Sequence, residues 1–273
     1  MLLRFNTTLA ESYLTKEQIQ KVAPLALAAT PTNDKLSSKY LHINTENIID
    51  DMAKLGWLPV QAAQRKSKGT GTIFSKHMVS FQNPEIKIKG KNGDDAYPRI
   101  LLTISHDGFN SFQFRGGIFR LVCSNGLVIA DEQFTSFKLR HKGYTFEELQ
   151  LIINSTIEDL PNRIQVFNKM QVRMLTQEEK RQLAIDAMQL RTNVIDAKWD
   201  EDTVTDILEP LRDTDKGEDL WSVFNVIQEK ITQGGYKAAL EGAKVRKVRK
   251  IKSFERDLNV NQQLFRLATA LLN

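Results

Sequence analysis

At 273 residues, with 41% hydrophobic and 26% charged residues, the chain is long enough to bury a sizeable core and too apolar to be disordered. Its single cysteine, Cys123, excludes an intrachain disulfide and fits a reducing compartment. No stretch approaches the roughly eighteen consecutive apolar residues of a membrane span, and the amino-terminal MLLRFNTTLAESY lacks the apolar segment of a signal peptide, so no membrane partner and a cytoplasmic address are expected.

Thr15 opens a predicted helix, TKEQIQKVAPLALA, with Gln18 placed to complete a capping box and Pro24 to kink or end it. After the polar loop TPTNDKLSSK, KYLHIN alternates as a short strand does, and a helix follows from Thr45 on the spacing of Ile48, Ile49, Met52 and Leu55, with Gly56 as its stop. WLPVQAAQ and FSKHMVSFQ read as strands around the basic loop RKSKGTGT. That loop lacks the GxxxxGK[ST] spacing that surrounds phosphates with backbone N–H groups, and it suits a solvated hairpin tip. Asn92-Gly93 suits a tight turn in the polar excursion that follows.

The densest stretch runs from Pro98 to Gly143. ILLTIS reads as a buried strand, Asp107-Gly108 as a turn and SFQF as a half-exposed strand. GGIFRLVCSNGL is expected to form a short helix, because Ile118, Leu121 and Val122 share a helical face and Gly126 can take the left-handed position past its end. LVIADEQFTSFKLR returns to strand.

Beyond it the chain turns helical. Thr145 with Glu148 and Thr176 with Glu179 are capping boxes for helices of about 145–174 and 176–191, the first carrying Pro161. A short helix and charged loop occupy 200–219. An amphipathic helix with Leu220, Phe224, Ile227 and Ile231 ends at Gly234-Gly235, and a last helix spans about 259–272. The elements predict an α+β fold in a single domain, 1–273: a central, mostly antiparallel sheet in a core of about 40–143, then a helical region of about 144–273.

Charge is concentrated in one place. The formal net charge is +5, yet between Lys237 and Arg256 eight Lys or Arg stand against two Glu, so this segment carries an excess of six and the remainder is close to −1. Within KVRKVRKIK, Val245, Val248 and Ile251 recur every third residue, so one edge can pack while Lys244, Arg246, Lys247, Arg249, Lys250 and Lys252 project outward, on an internal loop or helix start. A solvated charged face normally mixes both signs, whereas these residues are all basic and point to nucleic-acid phosphates. Phe109, Phe112, Phe114 and Phe119, interleaved with Arg115 and Arg120, form the mixture that stacks exposed bases and neutralises their phosphates; phenylalanines at period two are equally the buried face of a sheet.

A polar set competes for attention. His77, His106 and His141, with Cys123, supply three imidazoles and a thiolate, but scattered rather than paired as zinc ligands are; each His also suits a turn cap. His106-Asp107 is reminiscent of metal phosphohydrolase pairs, while an Asx turn explains Asp107-Gly108 at less cost. GxSxG, HExxH and GxGxxG are all absent, so no catalytic residue, metal or cofactor is assigned.

KHM at 76–78, SHDG at 105–108, GIFRLVCSNGLV at 117–128, HKG at 141–143, DLW at 219–221 and the VRKI run before the last helix resemble, in order and spacing, an uncharacterised family of phage- and plasmid-like proteins. That family is found in prophages and conjugative elements and is labelled a domain of unknown function. The resemblance implies a mobile-element setting, which favours work on DNA or interference with host defence. The expectation is a nucleic-acid-binding protein of a mobile element, with DNA favoured, that binds or anneals single strands. The alternatives are a non-enzymatic blocker of a host defence protein and a metal-dependent nuclease or phosphohydrolase centred on His106, Asp107 and His141.

Overall fold

The computed structural model describes residues 13–28, 44–64, 76–88, 95–104, 112–120, 136–139, 145–194 and 198–272. The fold is α+β: a five-stranded antiparallel meander in the N-terminal half and helices in the C-terminal half. Contacts divide the chain into two compact units, Met1–Ser124 with Glu132–Leu160, and Asn125–Asp131 with Pro161–Asn273.

In the first unit, β1 (Leu58–Gln64), β2 (His77–Gln82), β3 (Ala96–Ile104), β4 (Phe112–Arg120) and β5 (Ser136–Leu139) pair in sequence order, each antiparallel to the next. Alternation along the strands sends Ala62, Val79, Phe81, Ile100, Leu102, Ile104 and Phe114 to one face. There they join Ile19 and Val22 of α1 (Lys16–Val22), Ile48, Ile49 and Met52 of α2 (Thr45–Lys54), and Leu149, Ile152 and Ile153 at the start of α3 (Phe146–Val172) in one core. The helix starts follow local chemistry. Thr15 and Gln18 close a capping box on α1, and Asn44 caps α2 by accepting from Glu46 N. Thr145 and Glu148 exchange the same reciprocal bonds, at 2.9 and 3.2 Å. Gly56, at φ +80°, turns the chain out of α2 into β1.

The short helix expected at GGIFRLVCSNGL is corrected by the structure. Residues 116–120 continue β4, Gly116 opposite Ile100 and Gly117 opposite Arg99, so pairing with β3 overrides a helical periodicity that rests on few positions. The rest of that segment, with Cys123 and Gly126, lies outside the described residues, as do the KYLHIN strand up to Ile43, the RKSKGTGT loop, and the Asn92-Gly93 and Asp107-Gly108 turns.

In the second unit α4 (Gln177–Thr192), α5 (Glu201–Leu208) and α7 (Phe254–Ala270) pack around α6 (Leu220–Gln233). Thr176 and Glu179 form the capping box of α4, and Asn193, at φ +58°, ends it. Trp221 of α6 meets Phe167 edge-on at 4.6 Å and stacks with Phe224 at 6.0 Å, and Phe224 meets Phe265 of α7 edge-on. α6 is not the amphipathic helix that its apolar spacing suggests. It is buried nearly all round, and several of its polar residues find partners inside: Gln228 Nε2 donates to Asn261 Oδ1 at 2.6 Å, Lys230 pairs with Asp206 at 2.9 Å, and Glu229 accepts from Arg212. α7 begins at Phe254, five residues before the expected start, because Ser253 caps it by accepting from Arg256 N.

Candidate nucleic-acid interface

The basic segment sits at the end of α6. Gly234 leaves the helix at φ +70° and ψ −148°, Gly235 follows at φ +95°, and the chain returns extended. β6 (Lys237–Ala238) then pairs antiparallel with β7 (Arg246–Lys247), Lys237 opposite Lys247 and Ala238 opposite Arg246. Backbone bonds hold the returning strand on the helix end: Gly235 N donates to Val248 O and Val248 N to Tyr236 O, both at 2.9 Å, and Ile251 N donates to Thr232 O at 2.8 Å. Arg191, at the end of α4, adds a bond from Nη2 to Arg249 O at 2.5 Å. On the ribbon, these ties all use main-chain groups, and its basic side chains turn to solvent.

Lys244, Arg246, Lys247, Arg249, Lys250 and Lys252 are all exposed, on an extended ribbon rather than a helix. The packed edge expected of this run is shorter than its spacing implies: Ile251 is buried and Val248 half-buried, but Val245 is 52% exposed. Among the described residues no carboxylate pairs with Lys244, Arg246, Lys247, Arg249 or Lys252. Lys237, directly across from Lys247, brings a further cation to the ribbon, and its main-chain N–H donates to Asp206 Oδ2 at 3.1 Å. Residues 246–250 line an open groove of about 590 Å³ with Gln233 and Gly235.

The other candidate residues fall elsewhere. Arg115 lies on the sheet of the first unit, half-buried, with Nη2 donating to Gln113 Oε1 at 2.6 Å. Arg120 is the last residue of β4 and its side chain lies outside the described residues. Phe114 is 1% exposed within the core, which removes it as a base-stacking platform. His77, also fully buried, ties β2 to α2 through Nε2 and Thr45 Oγ1 at 3.2 Å. His106, Asp107 and His141 lie outside the described residues.

Residues 34–265 match a family pattern described as "Domain of unknown function (DUF932)". The chain belongs to this family. It is similar to UPF0380 protein YafZ of Escherichia coli (strain K12), with 30% identity over 275 residues covering 95% of this chain and 92% of that protein. UPF0380 protein YfjQ of the same organism is 29% identical over the same shares. No solved structure matches the chain at a significant level. Among the described residues no helix is long and apolar enough to cross a membrane.

Two residues of this surface escape a reading of the basic run alone. Lys237 reaches it only through strand pairing, seven residues upstream of Lys244. Gly234 is identifiable in sequence as a helix stop, but its second role appears only in three dimensions: a Cβ there would stand 2.6 Å from Val248 O and from Arg249 C, so its lack of a side chain seats the ribbon.

Proposed function

We propose that this protein binds nucleic acid, DNA foremost, through the phosphate backbone, in the mobile-element setting that its family resemblance implies. One observation carries the reading. Six exposed cations stand on an extended ribbon whose main chain is already engaged with α6 and α4, and five of them, Lys244, Arg246, Lys247, Arg249 and Lys252, have no carboxylate partner among the described residues, so what the ribbon offers a ligand is their charged ends. Lys and Arg presented in this way neutralise phosphates and release condensed counterions, a sequence-independent source of affinity.

The test is the salt dependence of binding to a labelled oligonucleotide, in the parent and in the variant R246A/K247A/R249A/K250A. Each lost phosphate contact flattens the double-logarithmic slope by about 0.7 to 0.9, so the variant should bind more weakly at low salt with a slope flatter by about three units. The backbone bonds and Ile251 should keep it folded. Absence of binding by the parent, or an unchanged slope in a folded variant, overturns the proposal.

A further inference from the structure

Resting on that reading, we propose that the pocket beside the ribbon takes an unpaired nucleobase stacked on Trp199, so that the protein prefers single-stranded nucleic acid. Trp199 pairs across an antiparallel bridge with Leu240, on the same run of chain as β6, and that run pairs on its other side with β7. Asp200 N to Ala239 O at 3.1 Å and Glu241 N to Lys198 O at 2.9 Å fix residues 198–200 against it. Three neighbouring strands result, with Trp199 on the first and Arg246 on the third. Two strand spacings and an offset of two residues along the strand put their Cα atoms roughly 12 Å apart.

Side-chain alternation puts Trp199, Leu240, Ala238 and Arg246 on one face, with Leu240 beside the indole and the small Ala238 beside the guanidinium. A base and the phosphates flanking its nucleotide bridge such a span. A base paired within a duplex does not, because both of its faces are covered by its neighbours.

Trp199 is half-buried and lines a pocket of about 420 Å³ with Arg181, Ile185, Lys198 and the carboxylates Asp200, Glu201 and Glu241. The chemistry is that of base recognition: an aromatic face for stacking, and an ammonium donor and carboxylate acceptors for the base edge. Arg181 and Glu201 pair with each other, which leaves Lys198 against Asp200 and Glu241 on the lining, so the phosphates fall to the cations of the ribbon and not to this pocket. The other aromatics whose side chains are described in this unit, Phe167, Trp221, Phe224, Tyr236 and Phe265, are buried in its core, which leaves Trp199 as the stacking surface among the described side chains of this unit.

The three tryptophans make the experiment readable, since Trp57 and Trp221 are 0% and 4% exposed and Trp199 is the one a ligand reaches. Titration with a short thymidylate oligomer should quench tryptophan emission, and a duplex of equal length should quench it far less. W199L should lose single-strand affinity on the order of tenfold, with the salt slope and duplex affinity kept, and W199F, which retains a ring, should lose much less. If W199L binds the oligomer as tightly as the parent, or if the parent prefers duplex, the stacking proposal fails while salt-dependent phosphate binding stands. If the parent binds neither form, both proposals fall together. Circular dichroism of W199L and W199F shows whether a lost affinity reflects a lost fold.

Discussion

Gly234 and Gly235 adjoin, both have positive φ, and yet the structure treats them differently. At Gly234 the pair φ +70°, ψ −148° belongs to a region that only glycine enters freely, and a Cβ would collide with Val248 O and Arg249 C. At Gly235, φ +95° is also strained for an L residue, but nothing lies within 4 Å of where an alanine would place its Cβ. Strain alone is worth about 1 to 3 kcal/mol. G235A should therefore lose stability on that scale and keep the ribbon seated. G234A should lose more, in melting temperature and in nucleic-acid affinity together, since the backbone from Val248 to Lys250 must lift from the helix end. Equal losses in the two variants would mean that the close approach is not what holds the ribbon.

The starts of α1, α2, α3 and α4 were legible from sequence, because each is a local event: a Thr or Asn oxygen meets an N–H two or three residues away, as at Thr15, Asn44, Thr145 and Thr176, whereas the Ser253 cap that starts α7 five residues early was missed. The strand pairs of the meander were legible for a similar reason, since consecutive elements pair with one another. What escaped was decided by distant partners. β4 keeps its strand form through Gly116 and Gly117 because β3 supplies its hydrogen bonds, and α6 can bury Gln228, Glu229 and Lys230 because Asn261, Arg212 and Asp206 arrive from other elements. The candidate surface divides in the same way. The run of cations is plain in the sequence, whereas the pairing that adds Lys237, and the bridge that sets Trp199 beside it, depend on how the chain folds back.

α6 gives this a measurable form. Removing one partner of a buried hydrogen bond strands the other at a cost of about 1 to 3 kcal/mol, whereas replacing both by apolar groups of similar shape costs much less than twice that. Q228L should be destabilised by this amount, and addition of N261L should not double the loss, giving a coupling of about 1 kcal/mol or more in urea unfolding. Strict additivity would show that the contact between Gln228 and Asn261 contributes little.

Across the whole molecule, net charge and its placement make separable predictions. The chain carries +5, but outside residues 237–256 it is close to neutral, and some exposed lysines there pair with acids, as Lys54 does with Asp51 at 2.8 Å and Lys216 with Asp213 at 2.5 Å. Such mixed surface projects little potential beyond the Debye length of about 8 Å at physiological salt, whereas a one-signed ribbon does. The variants R246A/K247A/R249A/K250A and K21A/K54A/K169A/K216A each remove four positive charges and bring the formal net charge from +5 to +1. On immobilised heparin, a polyanion without bases, the first should elute at clearly lower salt than the parent and the second close to it. Matching shifts would mean that overall charge, not the ribbon, governs attraction to polyanions. Because heparin offers nothing to stack, W199L should elute with the parent there, which separates the phosphate contribution of the ribbon from the base contribution of the pocket.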